Sequence, residues 1–181
     1  AAHIDVPNWL DGRIELMIPI LRTFRHGDGG LAFFNGTSDS SPKMIDTLLS
    51  KSGVKTRAIL NATHTGYQRL YAGKTTVLID TGLPPTVTEN QWSHFGTLAF
   101  EMSSGKERII VNCGMPDNPS TGWQQALRST AAHSTIAVDN TNSTEITSTK
   151  NMVHKLGQVT SSRREIDGST IIEASYNGYN K

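Results

Sequence analysis

The stretch QWSHFGTLAFEMSSGKERIIVNCG runs from Gln91 to Gly114 and has the pattern of a β-hairpin. Apolar and polar residues alternate on both sides of Ser104-Gly105, a pattern typical of two antiparallel strands joined by a tight turn. His94 stands where the first strand begins, and Asn112 stands where the second ends. His133 precedes the next apolar alternation, in RSTAAHSTIAVD. Since the ends of neighbouring strands can converge in space, these three side chains are candidates for one site.

The composition limits the class of protein. The chain has 181 residues, of which 36% are hydrophobic and 18% charged, which fits a globular protein of one domain or one domain plus part of another. A formal net charge of +1 argues against nucleic acid or an anionic membrane as the main partner. No apolar run reaches the roughly 18 residues that a membrane span needs. The single cysteine, Cys113, excludes an intrachain disulfide. The first residues lack the pattern of a signal peptide and an initiator Met, so we expect a processed product or an excised piece.

Helices are predicted near the start of the chain. Apolar residues at helical spacing predict a first helix over residues 11–24, which Pro19 should kink or split. A first strand is expected over residues 31–34. A second helix is predicted to begin at Pro42, with Ser41 as its cap, and to stop at Gly53.

From residue 55 onward the pattern changes to strands. A strand is predicted over residues 56–60, followed by a hairpin that turns at Ala72-Gly73-Lys74. After the opening hairpin, a helical turn is expected at residues 123–127. Further strands are predicted over residues 133–139, 156–166 and 169–176, the last two joined by Asp167-Gly168. About eight short strands in this arrangement predict an antiparallel β-sandwich.

The residues alone leave the chemistry open. Two imidazoles and an oxygen donor, from His94, His133 and Asn112, could form a zinc site, but zinc prefers a carboxylate to an amide. A histidine at the start of a strand is also commonly a hydrogen-bonded structural residue. In RHGDGG, residues 25–30, we expect Asp28 to form a salt bridge that closes a helix-to-strand corner.

Four ordered segments carry a resemblance to a known family. They are LRTFRHGDGGLAFFNG (21–36), GYQRLYAGKTTVLIDTGLPP (66–85), HFGTLAFEMSSGKERIIVNCG (94–114) and ALRSTAAHSTIAVDNTNS (126–143). Together they resemble the heparinase II/III-like family, in its bacterial branch with a C-terminal β-sandwich.

The resemblance implies a fold, a domain division and a location. Family members have an α-helical toroid followed by a large antiparallel β-sandwich, or supersandwich. Residues 1–25 would then be the end of the toroid, and residues 26–181 the first part of the sandwich. The chain is therefore expected to be a fragment of a longer protein. Since the family acts on anionic polysaccharides in the Gram-negative periplasm, the resemblance also implies a cell-envelope enzyme.

The family chemistry is β-elimination at a uronic acid, which needs a base, an acid and a group that stabilises the anion formed. In the family, toroid residues do much of this work, so the main acid and base are expected outside this chain. A family motif places a zinc site, present in some members, on His94, Asn112 and His133. The same motif places the substrate-facing histidine on Trp92 and an arginine on Arg128, which implies that both contact the substrate.

The departures from the motif keep two functions open. An amide at Asn112 removes one negative charge from the metal ligands, and Trp92 cannot transfer a proton, although it could stack on a sugar. The first function is a polysaccharide lyase, of which this fragment alone would be inactive. The second is a catalytically degenerate module that binds envelope glycan or has only a structural role. Without zinc, the three predicted ligands would form a neutral hydrogen-bonded cluster. The sequence indicates neither which polysaccharide is bound nor the oligomeric state.

Overall fold

A computed structural model describes residues 7–84, 94–144 and 157–180 of the chain. Its helices are α1 (Asn8–Thr23), α2 (Pro42–Lys51) and α3 (Thr121–Arg128), and a 3-10 turn covers Thr130–Ala132. Its strands are β1 (Asn61–Ala62), β2 (Tyr67–Ala72), β3 (Thr75–Asp80), β4 (Phe100–Ser104), β5 (Glu107–Ile110), β6 (Val159–Ile166) and β7 (Ser169–Tyr176). The described residues therefore form mainly antiparallel sheet that follows a helical segment, as the sequence predicts.

The strands form two sheets. Strands β1 to β5 lie in sequence order in one antiparallel sheet, and β6 pairs with β7 in a second, two-stranded sheet. Gly73, Gly105 and Gly168 have positive φ angles of 58°, 56° and 75° in the three tight turns, a conformation that glycine adopts without steric cost. All three predicted hairpins are confirmed. The second sheet contacts the first through Arg163, whose guanidinium donates hydrogen bonds to the carbonyl oxygens of Leu60 and Arg69.

Two apolar clusters hold the described residues together. One lies against the large sheet and joins three aromatic rings, of Phe24, Phe34 and Tyr67, packed edge to face with centroids 4.7 to 6.3 Å apart. The other joins the two long helices through Ile18, Ile45 and Leu49. Edge-to-face packing adds to the stabilisation from burial, by about 0.5–1.5 kcal/mol for a pair. The clusters fix the end of α1 against the sheet that carries the candidate site.

Helix α1 is continuous, so Pro19 does not split it, which was one of the two outcomes predicted for this residue. The Thr23 hydroxyl donates to the carbonyl of Pro19 at 2.9 Å and accepts from the backbone N–H of Ile59 at 2.9 Å. The second bond ties the last turn of the helix to a residue outside it. Proline removes a single backbone donor, and buried contacts on both sides of it keep one continuous helix.

Helix α2 begins and ends close to the predicted residues, Pro42 and Gly53, with Ser41 at the N-cap position. The Ser41 side chain makes no capping bond, and its carbonyl instead accepts from the backbone N–H groups of Met44 and Ile45.

The strands predicted over residues 31–34 and 56–60 are wrong. Leu31 forms only an isolated bridge with Arg25. The Phe33 N–H donates to the Glu101 carboxylate at 2.8 Å, and Ile59 bonds to a threonine hydroxyl. Because side chains satisfy these backbone groups, no strand ladder forms there.

No helix among the described residues is long and apolar enough to cross a membrane.

Candidate functional site

The site lies where residues 94–99, just before β4, meet the end of α3. The Phe95 N–H donates to the carbonyl of Arg128 at 2.9 Å, and the Phe95 carbonyl accepts from the Thr130 hydroxyl at 2.8 Å. These bonds bring His133 over the start of the hairpin. A Cβ atom on Gly96 would lie 2.8 Å from Cδ2 of His133, so glycine makes this close approach sterically feasible.

His94 and His133 form a hydrogen-bonded pair. Nδ1 of His94 lies 3.1 Å from Nε2 of His133, and the rings are nearly perpendicular at 88°. Nδ1 of His133 is 2.7 Å from the carbonyl oxygen of Ser129, which can only accept, so this nitrogen carries a proton. In the neutral ring, Nε2 of His133 is then an acceptor and Nδ1 of His94 the donor. Nε2 of His94 is left with its lone pair, buried and without a partner among the described residues.

Both imidazoles favour the neutral form. Burial, reinforced by the positive charges of His133 and Arg128, lowers the pKa of His94 to about 4. Burial also lowers the pKa of His133, although its bond to the Ser129 carbonyl opposes this shift. At neutral pH the pair therefore offers a lone pair on His94 rather than a positive charge.

Asn112, the third predicted ligand, is buried and bonded in both directions. Its Nδ2 donates to Oε1 of Glu101 at 3.0 Å, and its Oδ1 accepts from the backbone N–H of Ser134 at 3.0 Å. The structure therefore places Asn112 beside the neighbour of His133 and directs its amide towards Ser134 and Glu101. An aspartate here would put two carboxylates in contact without a proton between them. The Glu101 carboxylate thus explains why an amide stands at this position.

The strand predicted over residues 133–139 is also wrong. The backbone N–H of Ser134 binds the Asn112 side chain, and the Thr135 hydroxyl donates to the carbonyl of Thr97 at 2.7 Å. Only an isolated bridge, between Val138 and Thr141, forms nearby. This segment acts as a connector that carries His133 into the site.

The residues present do not fit a complete zinc site. Two imidazole nitrogens 3.1 Å apart are close to the separation of about 3.3 Å expected for two nitrogens on one tetrahedral zinc ion. Zinc sites use at least three protein ligands, and the Asn112 oxygen is engaged elsewhere. Within residues 7–84, 94–144 and 157–180, no group of three or more His, Cys, Asp or Glu side chains could hold a metal. Zinc binding by His94, Asn112 and His133 stays a prediction.

A buried network beside the site was missed by the sequence analysis. The Glu101 side chain has no exposed surface and accepts hydrogen bonds from His26, from the Phe33 N–H and from both the backbone and side chain of Asn112. The other ring nitrogen of His26 bonds to the Ser103 hydroxyl at 2.8 Å. One weak indication was available: Glu101 and Ser103 fall on the inward-facing positions of a strand that otherwise alternates normally.

The predictions for Asp28, Arg128 and Trp92 have different outcomes. Asp28 forms the expected ion pair, with Arg108 at 2.7 Å, and its pKa is lowered by hydrogen bonds from Arg108 and Gly30 even though burial acts in the opposite direction. Arg128 lies in the last turn of α3, with its guanidinium carbon 5.8 Å from the centroid of the Phe95 ring, and it contributes positive potential at His94. Trp92 lies outside the described residues. Substrate contact by Arg128 and Trp92 stays a prediction.

Comparison with known proteins identifies the family. Residues 54–181 match the family model of the heparinase II/III-like C-terminal domain. The chain belongs to the heparinase II/III-like family. Three solved structures of heparinase III share its fold. One has a TM-score of 0.57 at 13% identity, over 94% of this chain and 31% of that one, and another has a TM-score of 0.55 at 11% identity, over 92% and 32%. A β-sandwich, predicted from the strand pattern, is consistent with this match.

A curated relative in sequence carries a different description. The chain is 31% identical over 132 residues to FtsZ-localized protein C of Caulobacter vibrioides. The matched region covers 73% of this chain and 23% of that protein. The chain thus spans less than a third of the length of the heparinase III structures and less than a quarter of the length of this relative.

Proposed function

We propose that this chain is part of a polysaccharide lyase of the cell envelope that cleaves uronic-acid-containing polysaccharide by β-elimination. Membership of the heparinase II/III-like family is the observation that carries the proposal. In this reaction a base removes the proton next to the sugar carboxylate, the electron pair forms the ring double bond, and an acid protonates the leaving glycosidic oxygen. The main acid and base belong to the part of the protein outside this chain.

The described residues would form one wall of the substrate site. The His94–His133 pair is neutral at pH 7, so it does not attract or repel the substrate by charge. The lone pair on Nε2 of His94 has no partner among the described groups, so it would accept a hydrogen bond from a sugar hydroxyl once the site opens far enough to admit one. Arg128 adds a positive charge beside this acceptor. A neutral acceptor next to a cation suits a sugar unit that bears both hydroxyl and carboxylate groups.

The intact protein tests the proposal. Incubated with heparan sulfate, chondroitin sulfate, alginate or bacterial exopolysaccharide, it is expected to yield an unsaturated product that absorbs in the ultraviolet. Arg128→Gln should lower kcat/KM about tenfold or more, because one charged contact to the carboxylate is lost. Arg164→Gln is the matched control, since Arg164 is 53% exposed and pairs with Glu173 on the second sheet. No ultraviolet-absorbing product from any of the four substrates would contradict the proposal.

A second candidate is a protein that binds or organises envelope glycan without cleaving it. Two observations favour it. The Asn112 amide, which stands where the family motif has a carboxylate, is hydrogen-bonded to Glu101 and Ser134, and a relative is described as FtsZ-localized. Saccharide binding without turnover, together with localisation of the intact protein at the division site, would support this candidate. Substrate cleavage that is lost in the Arg128→Gln variant would reject it.

A further inference from the structure

A second concave surface lies beside the end of α1, apart from the His94–His133 pair. It is an open cleft of about 400 Å³ between the end of α1, the corner at residues 25–29, the segment before β1, and β2. Four arginines line it: Arg22, Arg25, Arg57 and Arg69. Its lining shares no residue with the His94–His133 pair and includes no Asp or Glu from the described residues.

The positive charge of this cleft is only partly neutralised. Asp46, from outside the lining, bonds to Arg25 at 2.7 Å, and this carboxylate is 65% exposed. The other three arginines form no ion pair with a described carboxylate. His26 also lines the cleft and contacts the buried Glu101. An excess of three guanidinium charges in one concavity produces a local positive potential that the chain's net charge of +1 does not indicate.

The end of α1 does not cancel this potential. The last carbonyl groups of a helix carry partial negative charge and would repel an anion. Here Arg69 donates from Nη1 to the carbonyl oxygen of Thr23, the last residue of α1, at 2.8 Å, and to that of Arg25, just beyond the helix, at 2.6 Å. These carbonyls are therefore occupied, while Arg69 keeps its full charge.

The cleft also contains donors without acceptors. Nε of Arg22 is buried and has no hydrogen-bond partner among the described groups. Its Nη2 makes a single long bond, of 3.4 Å, to the carbonyl of Val54. Arg57 is exposed, and its side chain bonds to no other described residue. An unpaired buried donor is unfavourable, and more so when it is charged, so an acceptor that reaches this donor from the cleft would stabilise the site.

We propose that this cleft is an oxyanion-binding site that takes a sulfate or carboxylate group of an anionic saccharide. Guanidinium groups match such oxyanions because they can donate two parallel hydrogen bonds from one planar fork. Arg22 supplies the buried donor and Arg57 supplies the exposed donor. Arg69 supplies a positive charge that is held in place by its bonds to the carbonyl oxygens of Thr23 and Arg25. The site holds the saccharide at a surface apart from the imidazole pair, and it functions whether or not the protein cleaves its ligand.

Titration of the intact protein tests this site. Sodium sulfate, a sulfated uronate disaccharide and its unsulfated counterpart are each added at low ionic strength, and binding is followed by calorimetry and by NMR shifts of the arginine side chains. Saturable binding of sulfate and tighter binding of the disaccharides are expected. Sulfate binding without disaccharide binding would overturn the saccharide assignment, and the absence of saturable binding for all three ligands would overturn the site.

Three variants locate the binding. Arg57→Gln should weaken sulfate binding about threefold to tenfold, and Arg22→Gln about tenfold or more, since charge-assisted bonds to buried groups are stronger. Lys74→Gln is the matched control, because it removes one exposed positive charge from the β2–β3 turn, and it should change affinity less than about twofold. Equal losses for Arg57→Gln and Lys74→Gln would show non-specific attraction and overturn the site. If Arg22→Gln fails to fold, the comparison of Arg57 with Lys74 still decides.

Discussion

His26 and His94 are buried to the same degree, at 4% and 3% exposure, yet their surroundings differ. Both ring nitrogens of His26 have partners, the Ser103 hydroxyl and the Glu101 carboxylate. His94 has one partner, another imidazole, and its Nε2 has none among the described residues. Burial alone therefore does not distinguish a structural histidine from a candidate ligand-binding one. The completeness of the hydrogen bonds does, and four predictions test this difference.

Removing the carboxylate that His26 contacts should have the largest effect. We expect Glu101→Ala to lower the free energy of unfolding by about 3–5 kcal/mol, because it leaves His26, the Phe33 N–H and Asn112 without their buried acceptor. Urea unfolding measures this. Glu101→Gln, which keeps one acceptor oxygen, should cost less. A loss of less than about 1 kcal/mol in the free energy of unfolding of the alanine variant would show that the network does not stabilise the fold.

Acid should destabilise the fold through His94. Its pKa falls from an ordinary 6.5 to about 4 in the folded state, so the unfolded chain binds more protons between these values. Stability from this group is complete above pH 6.5 and is lost as the pH falls towards 4, by about 3 kcal/mol in all. Urea unfolding of metal-free protein at several pH values measures the slope. His94→Asn should flatten it, whereas His64→Gln, at an exposed loop position, should not.

Forcing the two imidazoles apart should have a smaller effect. Gly96→Ala places a Cβ atom 2.8 Å from His133, and we expect a loss of about 1–3 kcal/mol and altered NMR signals from His133. Gly122→Ala is the control, because an added Cβ there meets no atom within 4 Å and lies in α3. It should leave stability unchanged or raise it by up to about 1 kcal/mol. Equal effects of the two variants would contradict the packing described for the pair.

Zinc should have the smallest effect. With two imidazole ligands and an engaged amide, the ion is expected to stabilise the chain by less than about 1 kcal/mol at micromolar concentration. Thermal unfolding with and without zinc, and elemental analysis of the purified chain, check this. His133→Ala should abolish even the small shift. Stoichiometric zinc that is retained through purification and lost in His133→Ala would show that a third ligand completes the site.

Local sequence patterns predicted the hairpins and helices, because turns at Gly73, Gly105 and Gly168 depend on neighbouring residues alone. In each failed strand at least one backbone group bonds to a distant side chain. Phe33 bonds to Glu101, 68 residues away, and Ile59 bonds to Thr23, 36 residues away. No local pattern contains such partners.

The candidate site likewise depends on contacts between residues that are distant in sequence. The meeting of His94 and His133, 39 residues apart, was anticipated by the family resemblance and is present in the structure. The resemblance could not indicate how the Asn112 amide is oriented, because Glu101 and Ser134 determine that orientation. The His26–Glu101 contact spans 75 residues and matched no motif, so no sequence pattern could pair these two residues.

The protonation state of the imidazole pair can be measured by nitrogen NMR of metal-free protein across a pH titration. We expect neutral rings at pH 7, with the proton on Nδ1 of both His94 and His133, and a pKa of His94 of about 4. A His94 ring that is protonated at pH 6, or that carries its proton on Nε2, would show that Nε2 offers no lone pair. The proposed substrate contact would then be wrong, because it rests on that lone pair.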